Sequence, residues 1–368
     1  MCFIKSFLQT FDPDITISRI QTPETTENGV INHEFVCFDA KAVQLSTVLA
    51  AKMLARKMGK KVFPFLKVLI RTAKDEEKSA KILKTKAWVY KKAVWHPALV
   101  EKCAQKIIQK MKNGNELKNI SLPYKEICKD ASIIAILHDV GRLSEVDIAQ
   151  GAVVMKGSGL NKNHAAISYD ILEHALIKPE ILLAIKYHEF ADIKEAVDDD
   201  IYKKLSPEKK KISEFYIRLL QDTDKTANLL ERSKFGIKKC AEFYDSRYIQ
   251  DYDLTEEYFK KAMSGNYLNL KGGHLLDAMM RFVTWTYSIH FVQTKEVLSG
   301  VLTDFFSQMY LEAQREYDAS EAKDPQKLAN TLEKITQLED YAIIQRMDMP
   351  VNLKNRQKIN TQITKLRK

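Results

Sequence analysis

Residues 135–142 read AILHDVGR, an apolar helical run that ends in adjacent His138 and Asp139 and stops at Gly141. An imidazole beside a carboxylate at a helix terminus has the chemistry of a metal site. In a chain with eight histidines such a pair is expected about half the time by chance, so its meaning depends on other ligands. The helix that carries it spans about 124 to 139, where Ile127, Ala131, Ile134, Ala135 and Leu137 make it apolar enough to be central.

Outward from this helix, the chain reads as further helices with a histidine or aspartate near their ends. His96-Pro97 opens one, because proline suits the first turn, and Leu99, Val100, Cys103, Ala104, Ile107 and Ile108 give it an apolar face. GAVVMKGSGLNK, residues 151–162, has three glycines and no helical period, and reads as a lid or a plain linker. A helix then starts at His164. Pro179 starts another that ends at His188 and Glu189, and after a charged loop at 198–211 a helix from Ile212 to Leu230 contains Asp222 and Asp224. Further helical patterns cover about 255–264, 273–292, 295–317 and 325–346, the last two increasingly charged, as expected of an amphipathic appendage or a partner-binding hairpin.

Only 12 glycines and 9 prolines in 368 residues, with helix-forming residues dominant, favour an all-α protein. The exception is N-terminal: DITISRIQ (14–21) and VINHEFVCF (30–38), separated by a segment containing Asn28-Gly29, predict a small β-hairpin, followed by a helix from Asp39 to about Gly59. The expected organisation is therefore a hairpin plus helix over 1–60, a helical core over 61–310, and a charged helical appendage with a basic tail over 311–368.

Five cysteines, at 2, 37, 103, 128 and 240, show no CxxC spacing, which argues against a disulfide framework and a thiolate zinc site. The N-terminus lacks the pattern of a secretory signal and no run approaches a membrane span, so a soluble cytoplasmic protein with no membrane partner is expected. The net charge of +10 is local in origin. Residues 52–92 carry 14 Lys or Arg against three acids, and the last 17 residues carry six and none. Either stretch can attract a nucleic acid, although a lysine-rich helix is commonly just a solvated face.

Taken in order, His96, His138, Asp139, His164, His188 and either Asp222 or Asp224 form a set separated by 42, 26, 24 and, to Asp224, 36 residues. Each helix supplies its own ligand, so the helices must converge on one point. Imidazoles and carboxylates without thiolates suit manganese, iron, nickel, cobalt or magnesium, and six such groups favour two ions over one.

These residues resemble the HD superfamily of metal-dependent phosphohydrolases, all-helical proteins with an ordered H…HD…D signature. WHPALVEKCAQKII is similar to the family's first-histidine helix, AILHDVGR to its HD helix, NHAAISYDIL and IKYHEF to the segments of the extra histidines, and LLQDTDKTANL to the final aspartate helix, in which Asp224 before Lys225 matches best. The resemblance covers about residues 93–305 and, through both extra histidines, the two-metal branch. It implies an HD-type helical bundle in which Asp139 bridges two divalent ions, with His96, His138 and Asp224 completing one and His164 and His188 the other. Asp139, Arg142 and Lys225 would be catalytic, and Arg142, Lys225 and Lys162 would bind the substrate phosphate.

Tyr187 stands where the cyclic di-GMP enzymes of that branch carry a histidine, and their GYP tripeptide is missing after His188. The expected substrate is therefore a phosphoester of a nucleotide, cyclic nucleotide or short nucleic acid. Two other readings fit the same residues: an HD-type di-iron oxygenase, or a non-catalytic nucleic-acid-binding or sensor protein acting through region 52–92. Oligomerisation through the C-terminal helices is compatible with all three.

Overall fold

The computed structural model of the chain describes residues 96–139, 164–173, 177–190, 193–235, 248–249, 251–268, 273–351 and 353–367. The hairpin and helix expected over 1–60, the basic stretch 52–92 and the loop 151–162 lie outside the described residues. The described chain is predominantly helical and divides into two compact units, one comprising residues up to 98 together with 133–186, the other comprising 99–132 together with 187–368.

The first unit contains the opening turn of α1 (His96–Gly114), the C-terminal end of α2 (Tyr124–Leu137), α3 (His164–Leu172) and α4 (Pro179–Lys186). Every residue of α4 from Glu180 to Ile185 is buried, as is the end of α2 through Ile133, Ile134, Ala135 and Leu137. Helices apolar on all sides belong in an interior. Here that interior surrounds the ends of α1, α2 and α3, where the histidines sit.

The second unit begins with the rest of α1 and the start of α2, joined where Gln105 Nε2 donates to the Cys128 carbonyl (2.9 Å) and to Ser132 Oγ (3.1 Å). Asn115 adopts a left-handed conformation (φ 67°) after Gly114, which turns the chain out of α1. Two short helices, α5 (Lys194–Val197) and α6 (Asp200–Lys203), precede α7 (Pro207–Phe235), α8 (Glu256–Met263), α9 (Leu275–Thr284), α10 (Val292–Ala319), α11 (Pro325–Asp340) and α12 (Leu353–Leu366). Among the described residues the only sheet is a parallel pair of two-residue strands, β1 (Tyr248–Ile249) and β2 (Gly273–His274). The unit's core is made by α9, α10 and α11, with Met279, Met280, Leu298, Leu302, Phe305, Phe306, Leu328, Leu332 and Ile335 all buried.

Three boundaries differ from expectation, each for a local reason. α7 begins at Pro207, inside the expected loop, because Ser206 and Pro207 supply a helix start, with the Ser206 hydroxyl facing the Lys209 N–H at 3.4 Å. The helix expected over 273–292 ends at Thr284 and gives way to a tight turn at Trp285–Ser288. There the Thr284 and Thr286 hydroxyls donate back to the carbonyls of Arg281 and Val283, and Asp222 captures the backbone N–H groups of His290 and Phe291 just before α10. The basic tail is helical in α12, where Ile363 is buried and Ile359 and Leu366 pack beside it on the core.

Candidate metal centre

The first unit gathers His96, His138, Asp139 and His164, each at the start or end of its helix and each nearly inaccessible, at 1%, 0%, 5% and 4% exposure. His96 is the first described residue of α1, directly before Pro97, and α2 ends at Leu137, just before the buried His138 and Asp139. The Asp139 carboxylate is the hub. Its Oδ1 lies 3.1 Å from His164 Nε2 and 3.7 Å from His138 Nε2, and its Oδ2 lies 3.9 Å from His96 Nε2. The His96 and His138 rings are tilted by 54° with centroids 5.4 Å apart.

His188, two residues beyond α4, is also buried at 3% exposure. The donors fall into two overlapping groups, His96, His138 and Asp139 in one and Asp139, His164 and His188 in the other, with the atoms of each within 4.8 Å of one another. Asp139 is common to both.

The residues fit a cation. His138 Nδ1 lies 2.8 Å from the Ala135 carbonyl, which can only accept, so Nδ1 carries the proton and, in the neutral imidazole, Nε2 presents a lone pair. That lone pair faces a carboxylate oxygen at 3.7 Å, a distance too long for a hydrogen bond and unfavourable unless a positive charge lies between. Two donors sharing an ion at bonds of about 2.1 Å stand roughly 3.0 Å apart at an octahedral angle and roughly 3.4 Å at a tetrahedral one. The spacings of 3.1 to 3.9 Å match that range or slightly exceed it.

Sequence reasoning missed Ser168. Its fully buried hydroxyl donates to the His138 carbonyl at 2.7 Å, tying the end of α2 to α3 one turn after His164. The only sequence signal is its spacing of four from His164, which puts both on one face.

Asp224 is on α7, where its Oδ1 accepts from Asn228 Nδ2 at 2.9 Å, and it belongs to neither donor group. Lys225 donates from Nζ to the carbonyl (3.1 Å) and hydroxyl (2.8 Å) of Ser288, and burial lowers its pKa against the opposing pull of Asp222 and Asp224. Asp222 is fully buried and acts as a cap, accepting from the N–H groups of His290 (3.0 Å) and Phe291 (3.1 Å). Burial pushes its carboxyl up to about 6, partly offset by the His290 N–H and by Lys225. His290 hydrogen-bonds Gln221 through Nε2 (2.7 Å) and His274 caps α9, so both have structural roles. Arg142 and Lys162 lie outside the described residues.

A chain whose described residues are predominantly helical, with a buried, thiolate-free histidine–aspartate cluster able to hold a metal ion, is compatible with an HD-type centre. No family model, no curated protein and no solved structure matches the chain. Among the described residues no helix is long and apolar enough to cross a membrane.

Proposed function

We infer that the chain is a metal-dependent phosphohydrolase or phosphodiesterase acting on a nucleotide, cyclic nucleotide or short nucleic acid. The observation that carries this reading is the pair of donor groups sharing Asp139, built only from imidazole and carboxylate. Such donors favour hard or borderline divalent ions, which supply Lewis acidity toward a phosphoryl group and lower the pKa of water.

The chain's own residues do the rest. Ala135 sets the His138 tautomer, so Nε2 is available without a proton having to leave first. Ser168 holds the His138 backbone, and with it the angle at which His138 and Asp139 enter the cavity. Burial of all five side chains excludes bulk water and strengthens each electrostatic interaction with a phosphate. Lys225 is engaged with Ser288, so Arg142 and Lys162 are the stronger candidates to neutralise the phosphate. Asp224, placed in the ligand set by its match to the family signature, is the least supported member.

A phosphoester panel tests the reading. It should include nucleoside monophosphates, cyclic mononucleotides and short oligonucleotides, each assayed with manganese, nickel, cobalt, iron or magnesium. Hydrolysis by the parent, lost in His138→Ala, is expected. Oxygen-dependent turnover of an organic substrate with iron, and no phosphate release with any metal, would overturn it.

A further inference from the structure

Apart from the histidine cluster, the second unit contains a group of donors without acceptors. Arg232, in the last turn of α7, is 95% buried by its exposure of 5%, and its guanidinium lies over the Phe282 ring with Cζ 3.7 Å from the centroid. Phe282 and Trp285 meet edge to face at 4.6 Å, and the Trp285 ring has Arg232 Cζ at 5.8 Å and Arg281 Cζ at 5.6 Å. Two guanidinium groups therefore flank one indole.

A cation over a ring uses the face of the guanidinium and leaves its in-plane N–H edge free for an acceptor. One edge of Arg232 is taken, since Nη1 donates to the Asn228 carbonyl (2.8 Å) and Oδ1 (2.9 Å). The Nε of Arg232, the Nε of Arg281 and the Nε1 of Trp285 are buried donors with no hydrogen-bond partner. Nor, among the described residues, does either arginine form an ion pair.

The obvious counter-ions are committed elsewhere. Asp277 is one turn before Arg281 on α9, the natural position for a pair, but its Oδ1 accepts from Thr255 N (2.9 Å) and its Oδ2 from Thr255 Oγ1 (2.6 Å) and His274 N (3.1 Å). Glu231 precedes Arg232 and points about 100° away around α7. Two positive charges and three unfilled donors in a partly dry, aromatic-walled site are costly unless an anion supplies the acceptors.

We propose that Arg232, Arg281 and Trp285 form a binding site for a small oxyanion, a phosphate or carboxylate group. Access is from the α9 side, where Arg281, Phe282 and Trp285 are only half-buried. On α7 the site lies eight residues, about 12 Å, beyond Asp224, and it does not depend on the metal-centre reading.

The test is calorimetric titration of the full chain with inorganic phosphate and, separately, succinate, at constant ionic strength with a chelator present. Saturable binding of at least one anion is expected, equal in the parent and in His138→Ala. A tighter phosphate isotherm assigns a phosphate ligand, and a tighter succinate isotherm a carboxylate. Arg281→Gln should weaken binding about tenfold. Trp285→Phe, which keeps an aromatic ring but removes the indole N–H, should weaken it about threefold. Absence of binding by both anions, or affinities that neither substitution changes, overturns the site. Loss of binding in His138→Ala would instead assign the anion to the metal centre and likewise overturn it.

Discussion

His164 Nε2 stands 3.1 Å from Asp139 Oδ1, closer to the hub carboxylate than His138 or His96. This contact joins α3 to the end of α2 and brings the two donor groups onto one aspartate. Asp139→Asn keeps the shape and removes the charge. The expected result is loss of at least about a hundredfold in affinity for a divalent transition metal, read by competition with a chromophoric chelator. An affinity within a few-fold of the parent would remove Asp139 from the centre.

Metal should also stabilise the fold, because the donors are organised only in the native state. At a free concentration a hundred times its dissociation constant, an ion contributes about 2.7 kcal/mol. Melting curves with and without added manganese or nickel should separate for the parent and coincide for His138→Ala. The effect should fade at acidic pH, because a ligand must be deprotonated to bind the ion.

Ser168→Ala tests the support of the site separately from its ligands. Removing the 2.7 Å bond to the His138 carbonyl should cost about 1 kcal/mol of stability and roughly tenfold in metal affinity, with the helical circular dichroism unchanged. Unaltered metal affinity would reduce Ser168 to a packing residue.

Asp222 gives a pH dependence with a definite sign. Its carboxyl titrates near 6 in the folded chain, against about 3.9 when unfolded. The folded state therefore holds this proton more tightly, and the associated stability is complete below about pH 4 and lost as pH rises through 6. A shift of this size corresponds to about 3 kcal/mol. In chelator, Asp222→Asn should flatten unfolding free energy between pH 4 and 6.5 relative to the parent, and an identical slope in both proteins would contradict the assignment.

Two arginines tie the C-terminal helix to α11, and their ion pairs should differ in worth. Arg356 is nearly buried and holds Glu339 (2.9 Å) and Asp340 (2.7 Å), with Glu339 also accepting from Tyr310. Arg367 meets Glu333 at the surface. Arg356→Ala should cost about 3 kcal/mol by stranding a buried carboxylate, and Arg367→Ala less than about 1 kcal/mol. Chemical denaturation of the two variants measures both.

Much of the centre was legible in the chain because punctuation sits beside the ligands. Pro97 marks the helix start at His96, Gly141 the stop after Asp139, and Pro179 the start of the helix that leads to His188. His138 and His188 follow the ends of α2 and α4 by one and two residues, and His96 and His164 open the described parts of α1 and α3. Asp222 and Asp224 could not be separated this way: two residues are about 200° apart on a helix, but which face turns inward depends on partners far along the chain. Asp222 finds its partners at His290 and Phe291, 68 and 69 residues away. The helix break at Trp285 was hidden for the same reason. In α12 the spacing of Ile359, Ile363 and Leu366 was readable, but the surrounding lysines and arginines made it look like a solvated tail.

The buried cluster of His96, His138, Asp139, His164 and His188 is expected to hold metal. Elemental analysis of the purified chain, after reconstitution with manganese, iron, nickel or cobalt and removal of free ion, tests this most directly. The predicted result is about one or two equivalents of metal per parent chain and less than about a tenth of that in His138→Ala and Asp139→Asn. A parent chain that retains none of these metals, or variants that retain as much as the parent, would contradict it.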